Sequence, residues 1–206
     1  MFIYNLYNIV FSNSYEKSAI KLLKKLKLTK ELCIIDIGSY IGKFSENINK
    51  NIKIKKKFYL IDPNPFIKKK IELNFKYKFF NLAINNSRTS KTLYFNEAFP
   101  AAGTSLKKYI FSDKSYNISR KIFFFRKRSL FKKIKVKTQF LDDFFSKNKI
   151  KNIDILKIDT EGNEFNILKS GKKSINKIKL ICVEVMDNKK KIKNSKKIEN
   201  IQKILG

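Results

Sequence analysis

Apolar positions along the chain follow two patterns. From Ser14 to Leu28, Ala19, Ile20, Leu22, Leu23 and Leu26 recur at helical spacing between lysines, with Ser12 or Ser14 placed to cap, which predicts an amphipathic helix. Such a helix can lie on a membrane surface or, as is commoner, pack against a sheet edge. Beyond it come short continuous apolar runs at Leu32 to Ile37, Lys57 to Ile61, Tyr77 to Ala83, Ile153 to Asp159 and Lys179 to Val185. Runs that do not alternate belong to strands covered on both faces, as in a parallel sheet flanked by helices. The first three are spaced for βαβ units, with helices predicted near Lys43 to Asn49 and Pro65 to Asn74. The fold class that follows is α/β, with a doubly wound, mainly parallel sheet.

Between Asn85 and Lys151 the regular succession breaks. Two strands are predicted there, Lys91 to Phe95 and Lys135 to Phe140, as a hairpin insertion whose tip, Lys121 to Lys133, concentrates charge and aromatics: Phe123, Phe124, Phe125 and Phe131 among Arg126, Arg128 and lysines. A helix at Leu141 to Lys147 opens with Asp142 and Asp143, suited to the positive end of its dipole. After Val185 come a Lys/Asn-rich linker and an apolar-periodic piece, Ile198 to Leu205. A length of 206 residues suits one domain. It divides into an N-terminal helical extension (1–31), a core (32–186), and a linker with a C-terminal helix (187–206).

Composition changes the picture less than its extremes suggest. Lys and Arg number 47 against 17 Asp and Glu, a net charge of +30, which points to an anionic partner such as nucleic acid, acidic lipid or a phosphorylated substrate. Yet Lys, Asn, Ile, Phe and Tyr are abundant together while His and Trp are absent, as a nucleotide bias in the coding sequence would also produce. The lysines are spread along the whole chain rather than gathered in one element, which favours the nucleotide-bias account. Cys33 and Cys182 sit inside apolar runs and read as buried, reduced thiols. No apolar stretch of transmembrane length and no signal-peptide pattern occurs, and a cytoplasmic location is expected. Nothing bears on the oligomeric state.

Candidate chemistry gathers where an open parallel sheet binds ligands, at the carboxyl ends of its strands. The first run ends Asp36-Ile37-Gly38-Ser39-Tyr40-Ile41-Gly42, a G-x-x-x-G turn rather than the G-x-G-x-x-G of a pyrophosphate site. A purely structural turn explains it equally well. The second run ends Ile61-Asp62-Pro63, a carboxylate that can accept both ribose hydroxyls of NAD or S-adenosylmethionine, or can simply cap a turn. In the fourth, Lys157 and Asp159 share one side, with Glu161 and Glu164 just beyond. Charges on a central strand are costly unless paired or in contact with a ligand, so a ligand site and a structural ion pair from Lys157 to Asp159 or Glu161 both fit. With no His, a protein base comes from Asp159, Glu161, Glu184 or a lysine of lowered pKa. No metal-ligand set is specific enough to name.

Several blocks together resemble the FkbM family of methyltransferases over about residues 32 to 186: Asp36 to Gly42 with Ser45, Asp62-Pro63, Asn81-Leu82-Ala83, Gly103-Thr104-Ser105-Leu106, Leu141-Asp142, Ile155 to Gly162, and Val183-Glu184. Lys157-Ile158-Asp159-Thr160-Glu161-Gly162-Asn163-Glu164 is the most specific of these; Asp62 stands where the family commonly has Glu. The resemblance implies a class I, Rossmann-like methyltransferase fold, S-adenosylmethionine as cofactor, and transfer to a hydroxyl oxygen of a small molecule or saccharide. It further implies that the turn Asp36, Gly38, Ser39, Tyr40, Ile41 and Gly42 holds the methionine part. Asp62 and Pro63 would meet the ribose, Asn81, Ala83 and Ile84 the adenine, and Asp159 the sulfonium and acceptor, with Glu161 beside it as a second catalytic carboxylate. Such enzymes usually finish with two further strands as an antiparallel hairpin. Here a single predicted helix follows Val185, which reads as a truncated C-terminal hairpin or an uncovered sheet edge. The acceptor is expected to be a small molecule or saccharide, with an anionic one suiting the charge. RNA or acidic-membrane binding through the basic aromatic insertion, or RNA methylation, is the alternative. A nicotinamide-dependent oxidoreductase fits less, lacking G-x-G-x-x-G and a His.

Overall fold

A computed structural model describes residues 15–25, 31–96, 104–106 and 131–184. Helix α1 (Tyr15–Lys25) precedes β1 (Glu31–Ile37), α2 (Lys43–Asn51), β2 (Lys55–Ile61) and β3 (Tyr77–Phe80). Then come β4 (Ala83–Ile84), β5 (Ser90–Asn96), β6 (Thr104–Ser105) and β7 (Phe131–Gln139). The order closes with α3 (Leu141–Lys147), β8 (Ile153–Ile158), α4 (Glu164–Lys169) and β9 (Ile178–Val183).

Five strands form the main sheet in the order β3-β2-β1-β8-β9, with every pairing parallel. The chain starts in the middle, winds outward through β2 and β3, and returns to the other side of β1 with β8 and β9. That reversal makes the boundary between β1 and β8 the place where a doubly wound sheet opens a crevice. Burial explains the continuous apolar runs. On one face Ile35, Ile61, Leu156 and Ile181 pack with Leu141, Phe144 and Phe145 of α3 and Ile167 and Leu168 of α4. On the other, Ile34, Leu60, Ile155 and Leu180 pack with Leu23 of α1 and Phe44 and Ile48 of α2. All six residues of β8 are buried, including Asp154 and Lys157.

Two expectations are corrected. Pro65 to Asn74 is not a helix: beyond the turn after Pro63 only Lys68–Lys70 form a 3-10 turn. Ile71, Leu73, Phe75, Tyr77 and Phe79 all pack on the same core, a period of two that lays this stretch along the sheet in extended form. The predicted strand Tyr77 to Ala83 is broken. It leaves the main sheet after Phe80, where Leu82 N–H donates to the Phe80 carbonyl at 3.1 Å, and re-enters pairing as β4 of a second sheet.

That second sheet, in the order β4-β7-β5-β6, is the insertion. Strands β5 and β7 pair antiparallel from Ser90 opposite Lys137 to Asn96 opposite Phe131. Its inner face contributes Leu93 and Val136, packed on Ala83. Most of the basic tip, Gly103, and the helix expected at Ile198 to Leu205 lie outside the described residues. No described helix is long and apolar enough to cross a membrane.

Candidate active site

A cavity of about 200 Å³ opens at the carboxyl ends of β1, β2 and β8, beside the switch point. Its floor is the turn after β1. Gly38 and Ser39 N–H groups both donate to the Ile61 carbonyl, at 2.9 and 3.2 Å, which draws the turn over the end of β2. Gly38 has φ +71°, and a Cβ there would stand 1.7 Å from the Asp159 carbonyl oxygen, so the backbones of β1 and β8 can meet this closely only at glycine. Tyr40 takes a left-handed φ of 47° without being glycine, and its N–H donates to Asp62 Oδ2 at 3.0 Å. Ser39 is buried in the wall, and its hydroxyl has no hydrogen-bond partner among the described residues.

Beneath the turn lies a buried charge cluster. Asp36 is fully buried, and its Oδ2 accepts from Ser45 Oγ at 2.9 Å. Asp36 Oδ1 faces the Lys157 ammonium at 3.1 Å. That ammonium also donates to the Gly38 carbonyl at 2.7 Å and lies 3.4 Å from Asp159 Oδ2. One cation thus ties β1, its turn and the end of β8 together. The ion pair weighed from the sequence, Lys157 with Asp159, is present, and Asp36 is its second and more buried arm.

Asp62 closes the side formed by β2. Its Oδ1 accepts from Asn64 N–H at 2.9 Å, and burial pushes its carboxyl up to about 6, with the Asn64 and Tyr40 N–H groups pulling the other way. The turn-capping role weighed from the sequence is therefore present, and the residue also lines the cavity.

The loop after β8 supplies the remaining acids. Glu164 Oε1 accepts from Thr160 N–H, Thr160 Oγ1 and Gly162 N–H at 3.1, 3.0 and 2.8 Å, knotting the loop at the start of α4. Asn163 Nδ2 donates to the Ile84 carbonyl at 3.0 Å, and Ser105 Oγ donates to the Glu161 carbonyl at 2.8 Å, fastening the knot to the second sheet. Held so, Glu161 has φ 53°, a strained conformation for a residue with a side chain. Burial, then the charges of Asp159 and Glu164, push its carboxyl up to about 7. Glu184, just past β9, hydrogen-bonds Asp159, and this contact with burial pushes it up to about 8. Two carboxyl groups in hydrogen-bond contact share a proton.

Of the residues singled out from sequence, Gly38, Ser39, Tyr40, Asp62, Pro63, Ala83, Ile84, Asp159 and Glu161 line the one cavity. Asp36, Ile41, Gly42 and Asn81 do not. Asp36 is spent on Ser45 and Lys157, Gly42 opens α2 at φ 82°, and Asn81 Nδ2 donates to the Asp62 carbonyl at 2.9 Å, so these shape the wall from behind. Sequence reasoning missed Lys43, Phe44, Leu93 and Asn163 as lining residues. For Leu93 the alternation of β5 was the available signal; the others depend on contacts distant in sequence.

In comparison with known proteins, the model of the methyltransferase FkbM domain matches residues 36–205. No curated protein and no solved structure matches the chain.

Proposed function

Because this chain belongs to the FkbM methyltransferase family, we propose that it is an S-adenosylmethionine-dependent enzyme that methylates a hydroxyl oxygen of a small molecule or saccharide. The observation that carries the reading is the convergence on one cavity of the Ser39 hydroxyl, Asp62, and the carboxylates Asp159 and Glu161. The residues present fit the cofactor. Ser39 offers a buried hydroxyl still lacking a partner, and Asp62 keeps further lone pairs on its oxygens for ribose hydroxyls. Ala83, Ile84, Leu93 and Leu106 supply apolar wall for a base.

When bound, the cofactor supplies an electrophilic methyl group on a sulfonium. The chain's own residues then have two tasks. The first is to hold the acceptor oxygen in line, which can account for much of the rate. The second is to take its proton. Asp159 is the favoured acceptor of that proton, since it lines the cavity and is backed by Lys157 on one side and Glu184 on the other. Glu161, raised toward neutrality, is poised as a second base.

Calorimetric titration with S-adenosylhomocysteine and with NAD tests the cofactor: tight binding of the first and none of the second is expected, and the reverse removes the assignment. A labelled-methyl assay against glycans, lipid-linked sugars, small polyols and RNA tests the acceptor. Asp159→Asn should abolish transfer while leaving S-adenosylhomocysteine affinity within a few-fold; full turnover in that variant would remove Asp159 from catalysis.

A further inference from the structure

The second sheet has an outer face that the proposed reaction does not use. The register of β5 on β7 sets Ser90 opposite Lys137, Thr92 opposite Lys135 and Tyr94 opposite Lys133, so these six side chains share one face. The lysines of that face, Lys133, Lys135 and Lys137, are exposed, whereas Val136 and Thr138 between and beside them are buried toward the core. Alternate residues on a strand are about 7 Å apart, so three ammonium groups stand in a row at that interval. No carboxylate among the described residues pairs with any of the three, whereas Lys50, Lys55, Lys57 and Lys179 each hold one. The row leads back along the chain into Ile122-Phe123-Phe124-Phe125-Arg126-Lys127-Arg128, which mixes bulky apolar side chains with further cations.

We propose that this face of the β5–β7 ribbon docks on an anionic lipid bilayer, with Lys133, Lys135 and Lys137 against the acidic headgroups. Charge complementarity supplies the attraction, because a row of exposed cations gains from the negative surface potential of such a bilayer. Single-stranded nucleic acid fits the face less well, because it needs open aromatic rings for stacking. Across the register from Ser90 to Tyr94, Tyr94 supplies the one ring, and the Lys133 ammonium sits over it at 6.0 Å. The opposite face of the same ribbon sends Leu93 into the cavity, so docking would bring the site within one β-layer of the lipid surface.

The test is co-sedimentation of the full chain with vesicles of phosphatidylcholine mixed with phosphatidylserine, against phosphatidylcholine alone, with polyuridylate binding measured in parallel. Wild type should partition onto the acidic vesicles only. K133Q/K135Q/K137Q should weaken partitioning by on the order of 100-fold, about fivefold for each lysine. A control with equal charge loss, K68Q/K69Q/K70Q in the exposed turn after β2, should change it by less than about fivefold. Equal losses in both variants would mean that bulk charge alone is responsible and would overturn the proposal. So would binding to phosphatidylcholine alone, or a stripe variant that loses polyuridylate binding while keeping vesicle binding. Melting temperatures of both variants equal to wild type establish that the fold is kept. Neither cofactor nor acceptor enters the assay, so its failure leaves the methyltransferase reading untouched.

Discussion

Replacing Lys157 by Met keeps the volume of the side chain and removes the charge that joins three parts of the site. In the native protein the Lys157 and Asp36 side chains are 4% and 0% exposed and stand 3.1 Å apart. Asp36 Oδ1 has no hydrogen bond of good geometry, so without the ammonium that oxygen keeps its charge in a dry interior with only Ser45 on the other oxygen. Breaking a buried pair from one side costs about 3–5 kcal/mol. The Asp159 arm is 25% exposed and adds under about 1 kcal/mol. For a chain of this length each kcal/mol lowers the melting temperature by roughly 2–4 °C, which gives an expected fall of about 6–24 °C. The second perturbation isolates the cause. Adding Asp36→Asn to Lys157→Met removes the stranded charge and should return roughly half of the loss, about 2 kcal/mol. Denaturant unfolding of wild type, both single variants and the double variant closes the cycle. A Lys157→Met protein that melts within about 2 °C of wild type, or a double variant no more stable than the single, would refute the account.

Other parts of the site give sharper single outcomes. Gly38→Ala sets a methyl 1.7 Å from the Asp159 carbonyl at φ +71°; loss of more than about 3 kcal/mol or failure to accumulate as soluble protein is expected, read by expression and thermal melting. Glu161 must be ionised to act as a base, so transfer to an acceptor found in the panel should rise as pH passes through about 7, and Glu161→Gln should lose that limb. An unchanged limb would remove Glu161 as the second base. Glu184 binds its proton more tightly in the folded protein, where it titrates at about 8, than at the ordinary 4.5. Its contribution to stability is therefore complete below pH 4.5 and lost as pH rises through 8, and Glu184→Gln should flatten the melting temperature across that window.

Strands β1, β2, β8 and β9 were legible in the sequence because each has a buried, largely apolar run, whereas β3, half-buried with Lys78 exposed, was read three residues too long. Helix α3 was legible to its ends, because Asp142 and Asp143 mark its start and Leu141, Phe144 and Phe145 its buried stripe. Pro65 to Asn74 was misread although Ile71, Leu73 and Phe75 alternate in plain view; the expectation of a crossover helix after β2 outweighed the local period. Within the site, the carboxylates at the ends of β1, β2 and β8 could be read from strand ends. The pairing of Lys157 with Asp36 could not, because it depends on β1 and β8 being neighbours across a separation of 121 residues, the same distance that separates Cys33 from Asp154 in the hydrogen bond at the other end of those strands. Which glycine-turn residues face the cavity was equally hidden, since the fold of the turn hangs on Ile61 and Asp62 of another strand.

Strands β5 and β7 close on each other from Ser90–Lys137 to Asn96–Phe131, and between them in sequence β6 pairs back on β5. Lengthening such an excursion costs little closure entropy once its stem is zipped. The stem also carries Leu93 into the cavity and, through Val136, is packed on Ala83. The two ends of the excursion are therefore pinned by the same strands that hold one wall, while the floor made by β1, β2 and β8 is built elsewhere. A protein arranged this way can take different sequence on either side of β6, provided that Ser105 and Leu106, which line the cavity, are kept. New recognition could then be acquired without re-engineering the half of the cavity that carries the reaction.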